Sequence, residues 1–326
     1  MTMSRTTRAV HVFAFTQLLM AAPAQAVTLL HANGDTQAVT DARKNSKGEW
    51  TAATGGRRVR IHPGDVIAIV AADGTETVII PELSSAPIDS TADAALARLR
   101  QPKNKTWQAD VELLAKGASR AVFEQLSTMA KDPHKEARLR AVTALAALRT
   151  KESSLEVASA VLQEKDARLR GELASLLHSI KEVLRRSTVA DLIPAGLAHD
   201  NPEVRVTFAM IAAPEDAAAL KVLRESGLSH RDHHFREAAA LELGLRGDSA
   251  GEKLLIRMLS RSRVPGVEGD VAFREQALIK EQVQVCTALG KIATDDAKVA
   301  LRAARSSPHE AVRIAANDAL AESDND

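Results

Sequence analysis

The chain has no tyrosine, and only 2% of its residues are aromatic. A globular core normally fills volume with aromatic rings, whereas a thin two-layer stack can be packed with alanine and leucine ridges. There is a single cysteine, Cys286, so no internal disulfide can form. Charge of one sign is missing as well: 43 lysines and arginines stand against 42 acids. Without a net basic field, nucleic acid is not an expected partner. Long apolar runs are absent too. The stretch from Ala9 to Ala22 contains Gln17 and is shorter than the roughly 20 residues that cross a bilayer. No Ser-His-Asp order, glycine-rich phosphate loop or CxxC pair occurs, so neither nucleophilic nor nucleotide chemistry is indicated.

What the chain does have is a motif that returns six times between residues 131 and 320. The copies align on Arg138, Arg170, Arg205, Arg236, Gln282 and Arg313, at intervals of 32, 35, 31, 46 and 31 residues. Three residues on stand Ala141, Leu173, Phe208, Ala239, Val285 and Ala316, and apolar residues recur four positions later. Each copy carries two helical stripes separated by a short polar turn, and a period of this size predicts a solenoid. Asp132-Pro133, Asn201-Pro202 and Ser307-Pro308 place a capping side chain before a proline at a helix start. Asp132, Asp166, Asp200 and Asp232 precede the aligned arginines by four to six residues. They are expected to bond turn amides and neighbouring arginines, as glue between stacked repeats.

The D-P-x-x-x-[VA]-R pattern and the ending Ala288-Leu289-Gly290 resemble the HEAT repeat family, in its short phycobilisome-lyase-like variant. The resemblance implies a mainly α protein, a right-handed α-solenoid of antiparallel helix pairs over 91–326, which binds other proteins. The first helices of that region are a possible cap. The second copy lacks Asp-Pro and the fifth has glutamine for arginine, so both are expected to stack irregularly.

Residues 1–26 are expected to be a cleaved signal peptide. Arg5 and Arg8 precede the apolar stretch, and Ala24-Gln25-Ala26 offers a small-x-small cleavage site. Export to the periplasm or medium follows, with no membrane span after cleavage. Residues 27–82 alternate short β-rich runs with turn signals such as Asn33-Gly34-Asp35, Pro63-Gly64-Asp65 and Asp73-Gly74. They predict a small all-β domain, a sandwich or barrel of five or six strands, with Val59 and Ile61 facing inward and Arg58 and Arg60 facing water. Its turn order around Trp50, Gly55-Gly56 and Pro63-Gly64-Asp65-Val66-Ile67 is similar to FecR-type periplasmic signalling domains. A cap on the open end of the solenoid is the other reading. Pro81, Ser84 and Pro87 mark residues 83–90 as a linker crossed by few contacts.

Three features bear on function. The residue after each aligned position is Leu139, Gly171, Val206, Glu237, Val283 or Ile314. Leu139, Val206 and Ile314 could form an apolar inner stripe for a protein partner, or could be packing between repeats. The longest interval hides an insertion, residues 261–270, whose Val264 and Val267 are candidate partner contacts; a tolerated surface loop is the alternative. Finally, His134, His199, His230, His233, His234 and His309 all fall in the same turn of their repeats. His230, His233 and His234 are the candidate ligands if these turns bind metal, which would make the chain a metal-binding protein or metal-dependent enzyme. Exposed turns that accept any polar residue are the plainer account, and no cofactor is expected. His309-Glu310 resembles a His-Glu pair of deoxyhypusine hydroxylase, a HEAT-like enzyme with four such pairs around two irons. Here there is one pair, placed before the aligned arginine rather than after it, so a di-iron site is not indicated. The expected function is a non-enzymatic scaffold for an unidentified protein partner.

The leader generates the first prediction. N-terminal sequencing of the exported protein should begin at Val27, and a cytosolic chain that keeps Met1 would refute export.

Overall fold

The computed structural model describes residues 27–32, 34, 36–45, 49–54, 57–61, 65–101, 103–187 and 189–323. The expected leader and most of the β-domain turn signals lie outside them. Among these residues seven strands come first: β1 (Val27–His31), β2 (Thr36–Val39), β3 (Asp41–Lys44), β4 (Trp50–Thr54), β5 (Arg57–Arg60), β6 (Val66–Val70) and β7 (Glu76–Val78). All pair antiparallel, in one sheet of order β2-β1-β6-β7 and a second of order β3-β4-β5. Leu29, Val39, Ala52, Ile61, Val66 and Ile69 form the core between them. A register shift opposite Leu30 and His31 lets Val66 and Ile69 face this core while Ile67 turns to the other side of the sheet. The Asp73-Gly74 turn forms as expected, with Gly74 at φ +83° and the Asp73 carboxylate accepting from Thr75 N–H at 2.9 Å. Val59 does not face inward. It is 46% exposed, because β5 is the edge of its sheet and its whole length stays uncovered.

Among the described residues fifteen α-helices follow. A first pair, α1 (Ser90–Leu99) and α2 (Trp107–Lys116), precedes the six repeats. The repeats are α3 (Arg120–Met129) with α4 (Lys135–Leu148), then α5 (Lys151–Gln163) with α6 (Ala167–Ser179). In the third, the first helix is broken into α7 (Lys181–Arg185), a 3₁₀ turn (Ala190–Leu192) and α8 (Ile193–Leu197), before α9 (Pro202–Ile211). Next come α10 (Ala217–Val222), which runs on as a π turn (Leu223–Gly227), and α11 (His233–Leu245). The last two pairs are α12 (Glu252–Ser260) with α13 (Val271–Ile292), and α14 (Asp295–Ala304) with α15 (Glu310–Ser323). The second helices α2, α4, α6, α9, α11, α13 and α15 touch in succession, so the chain is an α-solenoid of HEAT-like pairs preceded by a small β domain. Packing is close enough to demand glycine at one crossing: a Cβ on Gly196 of α8 would lie 2.0 Å from the fully buried Phe208 ring of α9.

The aligned arginine is the fourth residue of α4, α6, α9, α11 and α15, and in all five it does the same thing. Its guanidinium donates to the carbonyls six and five residues back, those of Asp132 and Pro133, Glu164 and Lys165, His199 and Asp200, His230 and Arg231, and Ser307 and Pro308. The residue six back also has a fixed task. Its side chain accepts the N–H two residues on, at 2.8–3.2 Å, whether it is Asp132, Glu164, His199, His230 or Ser307. Among the described residues the aligned arginines thus bind main-chain oxygens of the turn, those of Asp132 and Asp200 included, and not the aspartate carboxylates. Asp166 and Asp232 instead cap helix amides, and buried Glu164 of the second repeat pairs with Arg138 of the first at 2.8 Å. Burial pushes the Glu164 carboxyl up, but the Arg138 bonds outweigh it and hold it below its ordinary value. In α2 the fourth residue is Asp110, buried and bound by Arg98 and Asn104, which sets the first pair apart from the repeats.

The β domain does not close an end of the solenoid. It lies along the edge where the second helices finish. Ile67 and Ala32 pack on Val183 of α7, Glu182 N–H donates to the Ala32 carbonyl at 3.2 Å, and Arg186 pairs with Glu76 at 2.6 Å. Beneath this contact Lys181, Arg185 and Arg246 surround the buried Glu242 carboxylate. Burial pushes Glu242 up, and these three cations bring it below its ordinary range. Burial, aided by Lys181, pushes the half-buried His178 imidazole down to about 4. The segment 83–90 is likewise not a free linker. Ser84 bridges to Ser119, donating to the Ala118 carbonyl at 3.1 Å and accepting from Arg120 N–H at 2.8 Å, and Leu83 and Ile88 pack on the helical core. These residues satisfy backbone groups of the α2–α3 turn that would otherwise be unpaired.

A chain beginning at Ser90 should keep its helical circular dichroism but lose stability. Uncovering Val183 and the α2–α3 turn costs about 2 kcal/mol, read as a lower urea midpoint. An unchanged midpoint would show that the β domain and solenoid are energetically independent.

Candidate functional site

The fifth repeat departs from the others in a way that builds a cavity. Gln282 is the twelfth residue of α13 rather than the fourth, so the helix runs eight residues, about 12 Å, beyond the level of its neighbours. The amide still does the arginine's work: Gln282 Nε2 donates to the carbonyls of Leu259 at 2.8 Å and Arg261 at 3.1 Å, on the other side of the insertion. This repeat thus stacks regularly, contrary to the expectation from its missing arginine.

The inserted loop is anchored at its start and folded back at two glycines. Arg261 donates to Glu237 of α11 at 2.7 Å and to Glu281 of α13 at 2.7 Å. Burial pushes the Glu281 carboxyl above its ordinary value despite those bonds. Gly266, at φ +73°, passes so close to His234 that a Cβ would stand 3.2 Å from its Nε2. Gly269, at φ +136°, meets the Phe273 ring, 2.8 Å from where a Cβ would sit. Asp270 then caps α13 by accepting from Phe273 N–H at 2.8 Å.

Between the loop, the protruding part of α13 and the α14–α15 turn runs a groove of about 1260 Å³, lined by Val264, Pro265, Val267, Val271, Arg263, Arg274, Glu275, Leu278 and His309 among others. A second hollow of about 510 Å³, walled by Ile256, Leu259, Ala300 and Val312, shares Arg261, Leu278 and His309 with it. His309 Nδ1 stands 3.5 Å from Glu275 Oε1, joining the last repeat to the protruding helix. Val264 and Val267, the loop residues singled out in the sequence, are half-buried and line this groove. Arg274, Glu275, Leu278 and His309 were not foreseen as its lining. The signal was available in the eight extra helical residues, which had to project over the next turn.

The inner stripe does not exist as a continuous surface. Val206 is fully buried and faces the next repeat, with Gly227 and Ala239 nearby. Leu139 is half-buried against the core, and Glu237 is bound to Arg261. Ile314 is open, 53% exposed, on α15, the last of the described helices. At Leu139 and Val206 the position after the arginine is packing, whereas at Gly171 a side chain would stand in open space.

The histidine turns divide as well. His230 is buried; its Nδ1 accepts from Asp232 N–H at 3.1 Å and its Nε2 lies 3.7 Å from Glu203. It performs the turn-acceptor task described above and stands apart from the grouped ligands. Asp232, His233 and His234 do place ligand atoms within 4.8 Å of one another, with the two imidazole centroids 3.9 Å apart. Cys286 is buried, and burial pushes its thiol up to about 12, which leaves it unreactive.

Val206→Asp should destabilise the protein by more than about 3 kcal/mol, since it buries an unpaired carboxylate. Ile314→Asp should stay within about 0.5 kcal/mol. Equal effects in denaturant titrations would contradict this assignment of the two positions.

No family model matches the chain, and no curated protein does. Among solved structures the chain is similar to human deoxyhypusine hydroxylase in complex with glycerol, at 17% identity over 72% of this chain and 96% of that one, with a TM-score of 0.31. It is also similar to the complex of CpcE and CpcF of phycocyanin lyase from Nostoc sp., at 16% identity over 75% of this chain and 99% of that one, with a TM-score of 0.40.

Proposed function

We infer that this chain is an exported, non-enzymatic scaffold that holds a segment of a protein partner in the groove of the fifth repeat. The observation that carries this reading is the groove itself. An insertion anchored by Arg261 and shaped by Gly266 and Gly269 leaves Val264, Val267 and Val271 outside both helical cores, beside an exposed Phe273. A volume near 1260 Å³ exceeds the roughly 300–1,000 Å³ typical of small-molecule pockets, which favours a polypeptide occupant. The resemblance of the repeats to HEAT repeats supports protein binding. The n-region, apolar stretch and Ala-Gln-Ala site support export, as does the likeness of the β domain to FecR-type domains. Among the described residues no helix is long and apolar enough to cross a membrane.

A photo-cross-linking amino acid at Val267 should form a discrete adduct with one protein in cells, while the same group at Glu172, exposed on α6, should not. Replacing residues 264–268 with a short Gly-Ser turn should leave the melting curve nearly unchanged yet prevent adduct formation from a cross-linker at Phe273. Asp270 must be kept, because it caps α13. Equal labelling from Val267 and Glu172, or an adduct at Phe273 that survives loop removal, would refute the groove as the binding surface.

A further inference from the structure

The charges around the groove are unevenly committed. Of the acids that line it or stand beside it, Glu275 faces His309, Glu237 and Glu281 are held by Arg261, and Asp270 is occupied as the α13 cap. Glu268 alone is exposed without such a partner. Of its cations, Arg261 is fully engaged, but Arg263 and Arg274 are exposed and form no ion pair with any described residue. Arg305, between Ala304 and Ser306 of the adjoining hollow, is exposed and unpaired in the same way. Most acids near the groove are spent on the fold, while these arginines are not. The same groove has an apolar lining. Leu278 is buried yet belongs to neither helical core, and Val264 and Val267 line the groove with it.

Resting on the scaffold reading above, we propose that the groove recognises an acidic, leucine-like segment of a partner protein. A carboxylate of that segment sits between Arg263 and Arg274, and its neighbouring apolar side chain reaches Leu278 between Val264 and Val267. Arginine suits this role because its planar fork binds carboxylate bidentately. The pairing of a buried apolar anchor with rim charges is the usual anatomy of a binding site, the anchor giving affinity and the charges giving selection.

The test is fluorescence anisotropy on the full mature chain with two short fluorescein-labelled peptides, one alternating Glu and Leu, the other Lys and Leu. The Glu peptide should bind more tightly at low salt and weaken as salt rises. The double variant Arg263→Glu, Arg274→Glu should reduce its affinity by about tenfold, with circular dichroism unchanged because both side chains are exposed. Leu278→Ala should weaken both peptides. Tighter or equal binding of the Lys peptide, no binding of either, or indifference to the arginine changes would overturn the acidic assignment. In each case the Val267 cross-link tests the groove reading separately. If that adduct forms while the Glu peptide fails, the groove takes a partner of other chemistry; if the adduct also fails, the scaffold reading falls with it.

Discussion

Five of the six repeats depend on one hydrogen-bonding device, an arginine in the first turn of the second helix that binds two carbonyls of the turn before it. A helix-to-helix turn leaves backbone carbonyls without partners, and burying them unpaired costs about 1–3 kcal/mol each. The guanidinium satisfies two at once and fixes the angle between the paired helices. Because it binds main-chain oxygens, the side chains of the turn are constrained at one place only, where an acceptor must meet the amide two residues on. Aspartate, glutamate, histidine and serine all meet that requirement here.

The same device explains how the fifth repeat tolerates its insertion. Gln282 Nε2 needs only to reach the carbonyls of Leu259 and Arg261, wherever the intervening chain wanders. With the turn secured, the loop and the first two turns of α13 are released from packing duty, and they form a surface the other repeats lack. Rigid repeats on both sides hold that surface in place, and Arg261 fixes its root between α11 and α13.

The repeats were legible in the sequence because the aligned arginines and apolar positions recur at nearly fixed spacing. Their chemistry was less so. The aspartates that drew attention stand at three different places relative to the arginine, whereas the residue with the shared role changes type from repeat to repeat. His230 looked like a possible metal ligand for this reason, although it acts as a turn acceptor, as His199 does. Val206 could not be distinguished from Ile314 by pattern, since both follow an arginine; what separates them is the packing of Gly227 and Ala239 near Val206, which no local pattern records. Strands β2 and β3 escaped notice because Thr36–Val39 and Asp41–Lys44 are short and polar, without the β-branched run that marks β6. The docking of the β domain on α7 leaves no local trace at all, because it joins residues far apart in the chain.

That docking sets an order of events. Synthesis delivers the β strands first, but Val183, on which Ile67 and Ala32 close, emerges only after two full repeats have been made. Contacts within a repeat are local and quick to form, whereas a contact of such long sequence separation is slow. The β domain must therefore wait with one apolar face open while the middle of the solenoid assembles beneath it. Ser84, tied early to the α2–α3 turn, shortens the tether and narrows the volume that face can search before Val183 arrives.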